Sequence, residues 1–167
     1  METLETIKIT YEMRASTGKR LANYLIDLII RYAFFLIIGF LGALLYRLFC
    51  YITLYNWVVE LESWEETLYG WMFLIVYYLL MESLTQRTLG KYITGTIVVM
   101  EDGSKPTFKT VFLRTLCRLI PFDGFSFLTE KPRGWHDRFV KTYVVDVKVY
   151  NSALLLKKSF EEIGVEQ

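Results

Sequence analysis

LANYLIDLIIRYAFFLIIGFLGALLY, residues 21–46, is an apolar run interrupted only by Asn23, Asp27 and Arg31. A bilayer core of about 30 Å needs about 20 helical residues, so the run reads as a long or tilted membrane-spanning helix. A carboxylate in hydrocarbon costs on the order of 2.5–3.5 kcal/mol on insertion scales, which makes Asp27 either a paired or a functional group. Arg20 precedes it by seven positions. On a helix this puts the two on nearly the same face, roughly 10 Å apart along the axis at about 1.5 Å per residue. Arg20 is therefore the expected partner that neutralises Asp27, with Asn23 and Arg31 close to the same stripe.

The rest of the composition agrees with a membrane setting. Of 167 residues, 53% are hydrophobic and 17% aromatic, with a mean hydropathy of +0.30, too apolar for an ordinary soluble domain of this size. The net charge of +1 and the lack of an aromatic-interleaved basic stripe give no reason to expect nucleic acid. Two cysteines, Cys50 and Cys117, make no disulfide framework. A single histidine, His136, with no CxxC or HxxxH spacing leaves no zinc site within one protomer, so no metal or cofactor is expected. No nucleophile stands beside a base, and an enzyme is not expected. Residues 1–20 carry Glu2, Glu5 and Glu12 and no short apolar core with a small-residue cleavage site, so no removable signal peptide is read there.

Along the chain, Thr6 to Met13 alternate in character and predict a half-buried strand. Ser16 or Thr17 then caps the first spanning helix, about residues 20–47. A second spanning helix covers about 67–84: Thr67 to Met81 carries no charge and Glu82 follows. Glu60, Glu62, Glu65 and Glu66 lie between the helices, whereas Lys8, Arg14, Lys19 and Arg20 precede them and Arg87, Lys91, Lys105 and Lys109 follow. The positive-inside rule turns this connection outward and leaves both termini cytoplasmic. Further strands are predicted over about 92–100 and 142–150, with Asp102-Gly103 as a turn. Between them, residues 107–120 read as an amphipathic helix in the inner interface, with Arg114 and Arg118 toward anionic headgroups. Pro121 ends it, Phe122 to Leu128 form a short apolar loop, and the tail 151–167 carries a short helix. The expected fold is one α-helical membrane domain: a two-helix transmembrane hairpin, an interfacial helix and a small cytoplasmic antiparallel sheet.

Three separated stretches resemble the RDD family of small bacterial membrane proteins, named for one arginine and two aspartates. The first is Ala15-Ser16-Thr17-Gly18-Lys19-Arg20-Leu21-Ala22-Asn23-Tyr24-Leu25-Ile26-Asp27, in which Arg20 corresponds to the arginine and Asp27 to the first aspartate. The second is Glu82-Ser83-Leu84-Thr85-Gln86-Arg87-Thr88-Leu89-Gly90-Lys91, followed by Gly95 and Val98-Val99. The third, Trp135-His136-Asp137-Arg138, places the second aspartate at Asp137. The resemblance implies a location in the inner, cytoplasmic membrane. It also implies transport of the proton-coupled sodium or other cation kind, without naming the species.

Two readings stay open for the polar residues. In one, Arg20, Asp27 and Glu82, stabilised by Asp137, form a site for a proton or monovalent cation. In the other they fix helix register, with Glu82 capping the boundary or pairing with Arg20 or Arg31, and with Asp137 clamping its loop through Arg20. His136 reads as a satisfied loop histidine, Trp135 as an interfacial anchor, and Gly90 and Gly95 as turn positions. Lys91 suits a headgroup contact. Two helices hardly enclose a water-filled route, so transport calls for a homo-oligomer or a membrane partner. The alternative function is a non-catalytic membrane adaptor that recruits a protein or anionic lipid.

Overall fold

A computed structural model describes residues 7–49, 52–120, 123, 126 and 133–165. Helix α1, Thr17–Phe49, begins where the Ser16 hydroxyl accepts the Lys19 N–H at 3.3 Å. A short helix α2, Ile52–Val59, follows in what the sequence presents as plain connection. Helix α3, Ser63–Thr85, starts a turn earlier than hydropathy alone suggests. Glu62 and Glu65 close a capping box there, and the acids of the first turn sit favourably on the positive end of the helix dipole.

Helices α1 and α3 run antiparallel. Phe34 stacks on Phe73 with centroids 4.4 Å apart, while further along Asp27 meets Tyr77 and Tyr78. In the most apolar windows of these helices only 6% and 11% of residues are buried inside the protein. Helices of a soluble core would be mostly covered, whereas these two are long and apolar enough to cross a membrane and leave most of that apolar surface open.

Beyond α3 the chain makes helix α4, Leu89–Thr94, and strand β1, Thr96–Met100. The strand expected over 92–100 thus begins only at Thr96, its first three residues closing α4. Thr88 caps α4 by accepting the Lys91 N–H, and Gly95, at φ 68°, lets the chain turn into β1. Helix α5, Phe108–Cys117, falls within the expected interfacial helix, with Thr107 as its cap. Helix α6, Trp135–Phe139, leads into strand β2, Thr142–Asp146, and helix α7, Val147–Val165.

Strand β2 pairs antiparallel with β1, Val98 opposite Val144. It stops at Asp146 rather than Tyr150 because the Asp146 carboxylate accepts the N–H of Lys148 at 2.9 Å and so starts α7. The strand expected over 6–13 is absent from its described part, residues 7–13. Tyr11 to Met13 form a turn, and only Arg14 bridges to Val145. The period-2 pattern there serves packing instead: Ile9 and Met13 are buried with Val99, Tyr143, Val145 and Tyr150 on one face of the sheet. The opposite face carries Thr96, Val98, Thr142 and Val144, all buried, and this is the face that meets the polar site. Apart from Asp123 and Ser126, the expected apolar loop 122–128 lies outside the described residues.

Candidate functional site

Asp27 is 6% exposed, one turn after Asn23 on α1. Its Oδ1 accepts the Tyr77 hydroxyl at 2.9 Å and the Gly90 N–H at 3.0 Å, and its Oδ2 accepts the hydroxyls of Thr88 at 2.7 Å and Tyr78 at 3.0 Å. Four uncharged donors fill the lone pairs of both oxygens. Two of them come from α3 and two from the start of α4. Gly90 is required for this approach: a Cβ there would stand 2.6 Å from the Asn23 carbonyl oxygen and 3.0 Å from Asp27 Oδ1.

The expected pairing of Arg20 with Asp27 does not form. The Arg20 guanidinium pairs with the Asp137 carboxylate, with both side chains buried. Two helical turns separate Arg20 from Asp27, whereas α6 carries Asp137 directly against the start of α1. Asn23, between them, is taken up by Thr94 and Thr96 at 2.5 and 3.0 Å.

Glu82 is fully buried and meets neither Arg20 nor Arg31. Its Oε1 receives Lys91 Nζ at 3.0 Å and Arg118 Nη2 at 2.8 Å, and its Oε2 faces Arg114 Nε at 3.1 Å. Arg114 reaches onward with Nη1 to Asp137 at 2.5 Å and to the Thr142 hydroxyl at 2.7 Å. The expectation that Arg114 and Arg118 face lipid headgroups is therefore corrected. Arg114 has no exposed side-chain surface, and Arg118 is 13% exposed and lies 3.9 Å from the Tyr78 ring centroid. Desolvating a guanidinium is tolerated only where carboxylates meet it, and Glu82 and Asp137 supply them. Lys91, expected at the headgroups, is buried for the same reason.

Burial shapes the ionisation of the groups outside the spanning helices. It pushes Lys91 down to about 8, against a partial opposing pull from Glu82, and Arg114 down to about 10. His136 is held well below its ordinary value by burial and then by Arg118, Arg114 and Arg20. Its Nδ1 lies 2.5 Å from Asp123 Oδ2, its backbone N–H donates to Asp123 Oδ1 at 3.1 Å, and its Nε2 stands 3.6 Å from Asp137. Burial raises the Asp123 carboxyl.

Two adjoining cavities open on this cluster. One of about 290 Å³ runs between α1 and α3 and reaches Asp27, Arg118 and Asp123. The other, about 90 Å³, is lined by those three and by Arg20, Lys91 and His136 among others. Among the described residues no three His, Cys, Asp or Glu side chains group as a metal site would.

The model of the RDD family matches residues 14–141, a span that holds Arg20, Asp27, Glu82 and Asp137. The chain belongs to the RDD family. No curated protein and no solved structure matches it. In this RDD protein Arg20 and Asp137, expected from the resemblance to be the family arginine and second aspartate, meet each other. Asp27, the expected first aspartate, stands apart among neutral donors.

Sequence reasoning missed Arg114, Arg118, Tyr77, Tyr78, Thr88 and Asp123 as parts of this cluster. A signal for some of them was present. Tyr78 and Glu82 share a face of α3 at i, i+4, and Arg114 and Arg118 repeat that spacing on α5. For Asp123, an acid in an apolar loop, the sequence offers no partner.

Proposed function

We propose that this RDD protein spans the cytoplasmic membrane as a helical hairpin with both termini inside, and exchanges a proton or monovalent cation at Asp27. The charge asymmetry supports the orientation: acids fill the connection around residues 60–66, and bases flank the opposite, terminal ends of the two spans. One observation carries the functional reading. Asp27 is a buried carboxylate on a cavity wall with no ion-pair partner among the described residues, while Glu82 and Asp137 are each neutralised by two or more cations. A carboxylate balanced only by dipoles keeps its charge available to a mobile cation.

In this reading Arg20, Glu82 and Asp137 are the frame. Through Arg114 and Lys91 they fix the sheet, α4 and α5 against the ends of α1 and α3, and Asp27 is the exchanging group. The reading includes self-association, since two helices seal only part of a path across the bilayer.

Reconstituted liposomes test it. A monovalent-cation gradient should drive a pH change inside wild-type vesicles, and Asp27→Asn should abolish the change while elution volume and melting stay near wild type. Absence of flux for every monovalent cation, or full flux in Asp27→Asn, rejects the reading. A stoichiometric partner purified with an inactive protein would instead favour the adaptor function.

A further inference from the structure

Arg31 is the sole charged residue of α1 between Asp27 and Arg47. Its guanidinium lies 5.2 Å from the Tyr32 ring centroid, and among the described residues no carboxylate forms an ion pair with it. A charge so placed in an apolar span is expensive unless it has a use. Arg31 lines the cavity of about 290 Å³ that holds Asp27. With Trp71 it also lines a further cavity of about 480 Å³ that extends toward Glu66. Arg31 and Trp71 thus stand where the two spaces adjoin.

Arg31 follows Asp27 by four residues, the spacing that puts two side chains on one helix face with about 5–6 Å between their Cβ atoms. Other charged and titratable groups around the carboxylate are already engaged. On α3, Tyr77 and Tyr78 donate to it and Glu82 is paired; Lys91 on α4 and Arg118 on α5 are held by Glu82; and Asp123 is held by His136. Among the described residues around Asp27, Arg31 is the cation not tied to an acid.

We propose that Arg31 is the internal counter-cation of Asp27. It takes the carboxylate when a proton or monovalent cation leaves, and returns to Tyr32 at the cavity junction when one arrives, so that the Asp27 carboxylate is neutralised in both states. Asp27 gives up the Tyr77 and Tyr78 hydroxyls in the paired state. Tyr77 stays anchored there because its oxygen also accepts the Leu89 N–H at 3.0 Å. In its consequence for transport the inference rests on the exchange reading above. The pairing itself does not.

Two variants and two readouts test it. In liposomes, with Na⁺ as the probe, Arg31→Gln should lower KM about tenfold if Arg31 occupies Asp27 about nine-tenths of the time, because the competitor is gone. Its kcat should fall, since nothing drives release. Tyr32→Leu removes the resting place of the guanidinium and should raise KM. Independently of flux, carbodiimide labelling of Asp27 at neutral pH, mapped by peptide mass, should rise by a similar factor in Arg31→Gln and fall in Tyr32→Leu. Labelling of Asp27 at the wild-type rate in both variants overturns the proposal, as does an unchanged KM in both. Full flux in Asp27→Asn defeats only the exchange reading. If wild type shows no flux and labelling still shifts as stated, the counter-cation stands and transport falls.

Discussion

Arg114 is the residue on which the buried charges converge, joining Glu82 of α3, Asp137 of α6 and Thr142 of β2 from a single guanidinium. An arginine presents five N–H donors in a fixed plane, which suits a junction of this kind better than lysine does. Its removal leaves two carboxylates in a water-poor site with fewer partners. Arg114→Met should therefore cost about 3–5 kcal/mol, the range for breaking a buried pair from one side. Denaturant unfolding in detergent measures this. In a double-mutant cycle Glu82→Gln with Arg114→Met should lose less than the sum of the two single changes, because the second change no longer strands a charge. Similar losses from Arg114→Lys and Arg114→Met would show that the planar fork is what the site uses. The same chemistry explains why Arg114 and Arg118 were misplaced from sequence: an amphipathic helix with two arginines reads alike whether they face phosphate headgroups or buried acids.

At the scale of elements, the close approach of α4 to α1 decides whether Asp27 receives its donors. Gly90 permits it, since its backbone N–H reaches Asp27 only while the Asn23 carbonyl lies against the bare Cα. Gly90→Ala puts a Cβ against helix backbone that cannot swing aside. It should cost about 1–3 kcal/mol, as overpacking does, and should reduce exchange together with stability. Paired melting and liposome measurements check both. The element boundaries carry a related lesson. Residues 92–100 and 142–150 carry strand-like sequence throughout, yet each is divided between a helix and a five-residue strand. At the first division Gly95 takes a left-handed conformation, and at the second Asp146 caps a new helix. Both are single-residue signals that a periodicity of two conceals.

For the whole molecule, the buried charge cluster links global stability to pH. Lys91 is held at about 8 in the fold against 10.5 in its ordinary setting, with burial the main cause. Between these values the unfolded chain binds more protons than the folded one, so this group makes stability rise as pH increases through that window. Melting temperatures of wild type and Lys91→Met between pH 7.5 and 10.5 isolate the effect: wild type should gain on the variant as pH rises, and parallel curves would contradict the assignment. The sequence by itself determined the two long apolar helices and the family, because apolar length and motif order are local properties of the chain. Tertiary structure alone decided which charge meets which. Arg20 and Glu82 find their partners on α4, α5 and α6, at separations that helical periodicity does not encode. An ion pair forms where desolvated groups are brought together, and that proximity exists only once the sheet and the short helices have packed against the ends of the spans.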